Sequence, residues 1–243
     1  MLGCGGVRSR VPGVCPTVYP VGTPPSGVRV ICFSATASFT SGIALIAIGA
    51  VTMLRTREPQ EVPLAAIPGI FGVQQLVEGC LWLGLPGQPP TSDRLAMTYL
   101  LFSHVLWPFF VPLAIWLIEP SARHRRRIAW GMAAGAATSM FFLVILLSEP
   151  VSATIEGLHI RYHLPHPHEN IAFAFYAAAT CLSPLLSSLK TARMLGVLIA
   201  ASMVASYLIY AMWFASVWCF FAALVSSVVF LHFSGRRTRR QVA

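Results

Sequence analysis

The chain has 243 residues, of which 56% are apolar and only 10% charged, and it carries a formal net charge of +9. A soluble domain holds about a quarter charged residues, so this composition argues against a disordered chain, a collagen-like repeat or a water-soluble α/β enzyme and leaves a bilayer as the natural solvent. Nucleic acid, the usual partner of a basic chain, is disfavoured too, because most of the 17 Lys and Arg residues sit in short clusters between long apolar runs.

In chain order, residues 1–31 come first, rich in Gly, Pro and Val. Pro12, Pro16, Pro20, Pro24 and Pro25 break any run long enough for a signal peptide, and the stretch reads as a disordered N-terminal extension. A crossing of a hydrocarbon core about 30 Å thick needs about 20 apolar residues at 1.5 Å per residue. Seven segments qualify: 33–54, 63–85, 95–118, 128–148, 170–189, 193–212 and 214–233. They lack strand alternation, and lipid demands that backbone polar groups be satisfied internally. The expected fold is therefore an all-α integral membrane bundle of seven transmembrane helices over 32–234, with a basic cytoplasmic tail at 235–243.

The last two segments form one uncharged run from Met194 to Ser234. As a single helix it would be about 60 Å long, twice the core. Lys190 and Arg193 precede it and Arg236, Arg237, Arg239 and Arg240 follow it; like charges belong on one side, so the chain turns near Trp213 to Trp218. Arg55 and Arg57, together with Arg123, Arg125, Arg126 and Arg127, fall on that same side, while the opposite loops hold Arg94 and Arg161. Arg8, Arg10 and Arg29 run slightly against the bias. The positive-inside rule then places the amino terminus outside and the carboxyl terminus in the cytoplasm. The arginines at 123–127 read as a topology anchor on anionic lipid. Cysteines at 4, 15, 32, 80, 181 and 219 show no CxxC spacing and read mostly as small hydrophobes.

Four motifs stand out: CFSATASF at 32–39, QQLVEGCLW at 74–82, SHVLWPFFVPL at 103–113 and SVWCFFAAL at 216–224. Together, over about 32–233, they resemble an uncharacterised bacterial family of small polytopic membrane proteins with no established activity. Members of that family begin Met-Cys-Phe-Ser-Ala, so Ile31 stands where their initiator stands, and the resemblance implies that residues 1–31 come from a misplaced start.

Polar groups inside the bilayer are the best functional pointers, since an ionisable group near its centre costs at least about 2.5–3.5 kcal/mol. Glu78 and His104 are the two that lie well inside. Helical rise puts them about 10 and 13 Å below the outer ends of consecutive helices, where they could touch, either as a proton-handling or metal-binding pair or as a structural pair fixing register. Gln74, Gln75, Tyr207, Tyr210 and Trp218 fall in the same outer half and complete the candidate ligand site, although aromatics also gather at interfaces for structural reasons. The stripes Ser34, Ser38, Gly42 and Gly131, Gly135, Ser139 read as helix contacts rather than catalytic serines. Trp107-Pro108 and Pro112 are expected to kink the third helix near His104.

His159, His163, His166 and His168 crowd the outer loop between helices four and five. Imidazole binds metals, and His159 and His163 would share a helical face, but Pro165 and Pro167 forbid one continuing helix. His104, His159 and His163 are accordingly the candidate metal ligands, with a solvated loop as the alternative.

Three functions follow. The leading one is binding of a small ligand, lipid headgroup, proton or metal in an outward-facing polar pocket, any output passing to a separate signalling partner because the loops carry no signalling domain. The second is a zinc-dependent membrane hydrolase resembling alkaline ceramidases, which share seven helices and place zinc-binding histidines inside. Catalytic zinc wants three protein ligands, whereas His104 is the one buried histidine here and His232 stands alone where that type has an HxxxH pair. The third, a transporter, is disfavoured by the lack of two matching halves. Reporter fusions at the two termini should report opposite compartments; a shared compartment would remove the common depth of the polar residues.

Overall fold

The computed structural model describes residues 34–85, 91–157, 159–164, 169–210 and 214–241, without the side chains of 169, 209, 210, 214, 215 and 235–241. The extension expected over 1–31, Trp213, His166, His168 and the side chains of Tyr210 and the tail arginines lie outside the described residues.

Helix boundaries follow the capping chemistry. Helix α1 (Ala35–Met53) starts at Ser34, whose Oγ accepts from the Ala37 N–H at 3.2 Å. Helix α2 (Val62–Gly84) follows a 3₁₀ turn at Pro59–Glu61 and places Pro63 in its first turn, where no N–H is required. The span Thr91–Ile118 has three parts: α3 (Thr91–Leu100), a π-helical segment (Leu101–Leu106) and α4 (Trp107–Ile118). Then come α5 (Ala122–Ser148), strands β1 (Ser152–Glu156) and β2 (His159–His163), α6 (Glu169–Ala177), a second π-helical segment (Ala178–Leu182), α7 (Ser183–Leu185), α8 (Lys190–Tyr210), α9 (Phe214–Ser226) and α10 (Val228–Gln241).

Among the described residues, six helical spans are long and apolar enough to cross a membrane: Ala35–Met53, Pro59–Gly84, Thr91–Ile118, Ala122–Ser148, Lys190–Leu208 and Ser216–Ser234. The expected crossing at 170–189 is represented by the shorter apolar helix Asn170–Leu185. The run from Met194 to Ser234 is divided into two spans, as its length requires.

The glycine stripes are close helix contacts. A Cβ on Gly42 would press on Leu76 and the Gly72 carbonyl, and one on Gly49 on the backbone of Gly69, so α1 and α2 approach backbone to backbone. On α5, Gly135 faces the Pro108 carbonyl and Gly131 faces Ser183. The third helix changes register where its prolines predicted a distortion. Its π-type bond runs from the Trp107 N–H to the Phe102 carbonyl, and in that register the next donor would be residue 108, which as proline has none. The Tyr176 hydroxyl donates to the Ser103 carbonyl instead, at 2.5 Å, and Ser139 Oγ donates to the Val105 carbonyl at 2.6 Å.

The fold is nearly all-α, as expected, and one element departs from it. Residues read as a histidine-bearing loop, with His159 and His163 on one helical face, form an antiparallel hairpin pairing Ser152 with His163 and Glu156 with His159. Gly157, at φ +65°, occupies the left-handed region in the connection. Ala153, Ile155, Ile160 and Tyr162 share one face of the hairpin. Ala153 and Ile160 are buried with Leu81 and Ala96, so the hairpin lies over the adjoining ends of α2 and α3.

At the opposite, arginine-bearing end, Arg55 donates to Ser234 Oγ at 2.5 Å and stands 4.5 Å over the Phe230 ring, tying α1 to α10. The Gly135→Ala variant is expected to lose about 1–3 kcal/mol of stability through overpacking against the Pro108 backbone, seen as a lower melting midpoint in detergent, whereas Gly84→Ala, with only an ordinary contact to Leu95, should lose much less.

Candidate functional site

Helix α2 carries its polar residues at i, i+1 and i+4, which places Gln74, Gln75 and Glu78 toward the interior; all three are buried. Six residues beyond Glu78 the helix ends at Gly84, so the carboxyl lies about 9 Å from the hairpin end.

Glu78 Oε1 accepts a short hydrogen bond of 2.5 Å from Ser216 Oγ, at the start of α9. Gln75 and Tyr162 stand beside the same carboxyl, yet the Tyr162 hydroxyl and both polar atoms of the Gln75 amide are buried without a hydrogen bond of ordinary length. Tyr162 reaches the bundle from β2, and its ring stacks on Tyr99 of α3 at 4.6 Å between centroids. Burial, and then the neighbouring Glu78 carboxyl, hold the Tyr162 phenol well above its ordinary value of 10.0, so the hydroxyl keeps its proton. One turn deeper, Gln74 Oε1 accepts from Trp107 Nε1 at 2.6 Å, and the Trp107 ring stacks on Phe71 at 3.8 Å. Cys219 faces Tyr99 and Gln74 from α9.

Four elements thus converge on one carboxyl: α2, the third span, the hairpin and α9. The four sequence motifs converge with them. QQLVEGCLW supplies Gln74, Gln75 and Glu78; SHVLWPFFVPL supplies Trp107; SVWCFFAAL supplies Ser216 and Cys219. The ring of Phe39, from CFSATASF, lies against Gly79 closely enough that a Cβ there would meet it at 2.9 Å.

The other expected site residues are distributed differently. His104 lies in the π-helical segment, with Nδ1 2.7 Å from Ser103 Oγ and its ring edge-on to Phe142 at 4.7 Å, so Glu78 and His104 have different partners. Trp218 is buried against Tyr176 at 5.4 Å rather than placed at a surface turn. Tyr207 is exposed on the bundle surface beside Phe173. His159 and His163 lie on the hairpin face opposite Tyr162; His163 Nε2 is 3.0 Å from Thr154 Oγ1, and burial holds the His159 imidazole below its ordinary range. Among the described residues no group of three His, Cys, Asp or Glu side chains is placed to hold a metal.

Sequence reasoning missed Tyr162, Tyr99, Ser216 and Cys219. A signal existed for two of them, because Ser216 and Cys219 stand in a motif already singled out. Nothing local marked Tyr162, which a loop assignment leaves in solvent.

A second buried carboxyl organises the arginine-bearing end. Glu119, just past α4, accepts from Ser187 Oγ at 2.7 Å, Ser188 N–H at 2.9 Å, Ser188 Oγ at 2.5 Å and Ser121 N–H at 3.1 Å. Its own backbone carbonyl accepts from Arg125 at 2.7 and 3.2 Å. The corner between α4 and α5 is thereby locked to the one between α7 and α8.

The chain belongs to the family of unknown function DUF6629, whose model matches residues 31–243. No curated protein and no solved structure matches it.

Burial pushes the Glu119 carboxyl upward, but the hydrogen bonds from Ser187, Ser188 and Ser121 outweigh it and hold the group below its ordinary value of 4.5. A depressed folded-state value stabilises the fold above pH 4.5 and stops doing so as pH falls toward that value. Melting in detergent from pH 7 downward should show a stability loss confined to the range below 4.5, and in Glu119→Gln that acid-dependent step should shrink from a lower starting midpoint.

Proposed function

We propose that this DUF6629 member is a seven-crossing protein of a bacterial inner membrane, amino terminus outside and carboxyl terminus in the cytoplasm, that binds a small ligand at Glu78 beneath an outward-facing hairpin. Six long apolar helices and one shorter one accommodate that path, and the distribution of basic residues supports its direction. Tyr207, exposed beside Phe173, falls outside the site so defined, and Trp218 and His104 line its surroundings rather than the carboxyl.

The observation that carries the reading is the unfulfilled polar inventory around Glu78. The Gln75 amide is wholly buried, and it and the Tyr162 phenol stand beside the Glu78 carboxyl without a hydrogen bond of ordinary length, an arrangement that costs up to about 1–3 kcal/mol per group where the contact is left unmade. Such a cost in the interior of a membrane bundle marks a place where something else binds. Glu119 shows the contrast: its side chain is also closed to solvent, though nearer the protein's surface, and it has four donors in place that lock two helix corners together. A zinc hydrolase would need a three-ligand group, and no observation among the described residues favours it.

The test separates a ligand group from a structural one. Removing a satisfied buried amide destabilises a protein; removing an unsatisfied one from an empty site stabilises it. Ligand-free Gln75→Leu is expected to melt higher than the native protein by the equivalent of about 1–3 kcal/mol, while Ser216→Ala, which breaks a made hydrogen bond, melts lower. A lower midpoint for Gln75→Leu would overturn the reading.

A further inference from the structure

We propose that the outer face shared by α5 and α6 holds one anionic phospholipid, its phosphate received by Arg123 and Arg127 and one acyl chain laid along α5 into a groove beside Phe141. This inference is independent of the Glu78 reading and concerns the surface of the bundle rather than its interior.

Periodicity is the first argument. Arg123, Arg127, Trp130, Ala134, Ala137 and Phe141 follow one another at spacings of four and three, which places them on one stripe of α5. Ile128, Gly135, Ser139 and Leu146, buried against the core, lie on the other side of the helix. A single straight path therefore runs from a basic end to an apolar middle.

Charge is the second. Arg123, Arg126 and Arg127 are exposed and form no ion pair among the described residues, whereas Arg125 is held by the Glu119 carbonyl and the Trp116 ring. The free three stand in the first two turns of a 27-residue helix, where positive charge is disfavoured, and its first turn carries no acid. A phosphate there meets guanidinium groups whose planar donors suit it. Trp130, 73% exposed and three residues past Arg127, puts an indole where headgroups meet hydrocarbon.

The groove is the third. It has a volume of about 270 Å³ and is lined by Ala137, Thr138 and Phe141 of α5 and Ile171, Ala172 and Phe175 of α6. Its one hydroxyl, on Thr138, donates back to the Ala134 carbonyl at 2.9 Å, so the lining suits hydrocarbon. Ten residues separate Arg127 from Ala137, about 15 Å of helix, which matches the hydrocarbon depth of one leaflet. A chain hanging from a phosphate at Arg127 thus reaches the groove at its far end. A second copy docked symmetrically on the same stripe would bring the two arginine clusters together, so like charge argues for lipid over a dimer.

The decisive experiment is native mass spectrometry of the protein released from mild detergent, with equimolar dipalmitoyl phosphatidylglycerol and dipalmitoyl phosphatidylcholine. The glycerol lipid should be retained preferentially, saturating at a single copy. Arg123→Gln/Arg127→Gln should weaken that retention about thirtyfold, while Arg57→Gln, an exposed arginine at the same end but off the stripe, leaves it unchanged. Ala137→Trp, which fills the groove and keeps the arginines, should reduce retention to that of dioctanoyl phosphatidylglycerol, whose chains stop short of it; free glycerol phosphate should not compete. Equal retention of the two headgroups, a preference that survives the double variant, or an equal loss in Arg57→Gln overturns the proposal. So does indifference to both chain length and Ala137→Trp, which would leave a headgroup contact without a groove. A native dimer that Ala137→Trp abolishes would assign the groove to a second copy and overturn it as well. Should the double variant not fold, the chain-length comparison in the native protein and in Ala137→Trp decides by itself.

Discussion

A carboxyl less than two turns from the end of a bilayer-length helix has to be accommodated by the protein around it, and the accommodation of Glu78 organises one end of this molecule. Ser216 positions the start of α9 against α2. Tyr162 draws the hairpin down onto the bundle, where Ile160 and Ala153 bury their side chains against Leu81 and Ala96. One turn deeper, Gln74 holds Trp107, which ties the distorted third span to α2. These contacts join segments far apart in the chain, and their apolar surroundings strengthen each hydrogen bond while making each unmade one costly.

Glu78 and Glu119, two of the buried carboxyls among the described residues, are held in different ways. Glu119 is saturated by donors from two interhelical corners and closes the arginine-bearing end. Glu78 accepts from Ser216, and Gln75 and Tyr162 stand close beside it without a hydrogen bond of ordinary length. On the reading proposed above, that difference separates a structural node from a receptive one, because a buried amide left without ordinary hydrogen bonds is costly until something completes it.

The π-helical segments belong to the same design. Proline at 108 deprives the third span of a backbone donor, and the Tyr176 hydroxyl takes the donor's place. The span thereby acquires a local register change that turns Ser103 and His104 onto one part of the core and Trp107 onto another. The Gly135 contact with the Pro108 carbonyl shows why α5 lacks a side chain there: the displaced backbone fills the space.

Much of the fold was legible in the residues alone. Apolar runs of bilayer length, separated by basic clusters, follow from the cost of exposing peptide groups or charge to lipid, and that cost is local to each segment. The small-residue stripes announced helix contacts for the same reason, and Gln74, Gln75 and Glu78 drew attention because buried polarity is expensive wherever it occurs. What the chain could not disclose was the company those residues keep. The hairpin rests on two five-residue strands whose alternation is too short to outweigh a histidine-rich loop reading, and it exists because α2 and α3 offer an apolar surface to cover. Ser216 and Tyr162 came to stand beside Glu78, and His104 beside Ser103, through packing between elements distant in sequence. Periodicity and hydropathy specify which face of a helix turns inward; only the tertiary arrangement decides what that face meets.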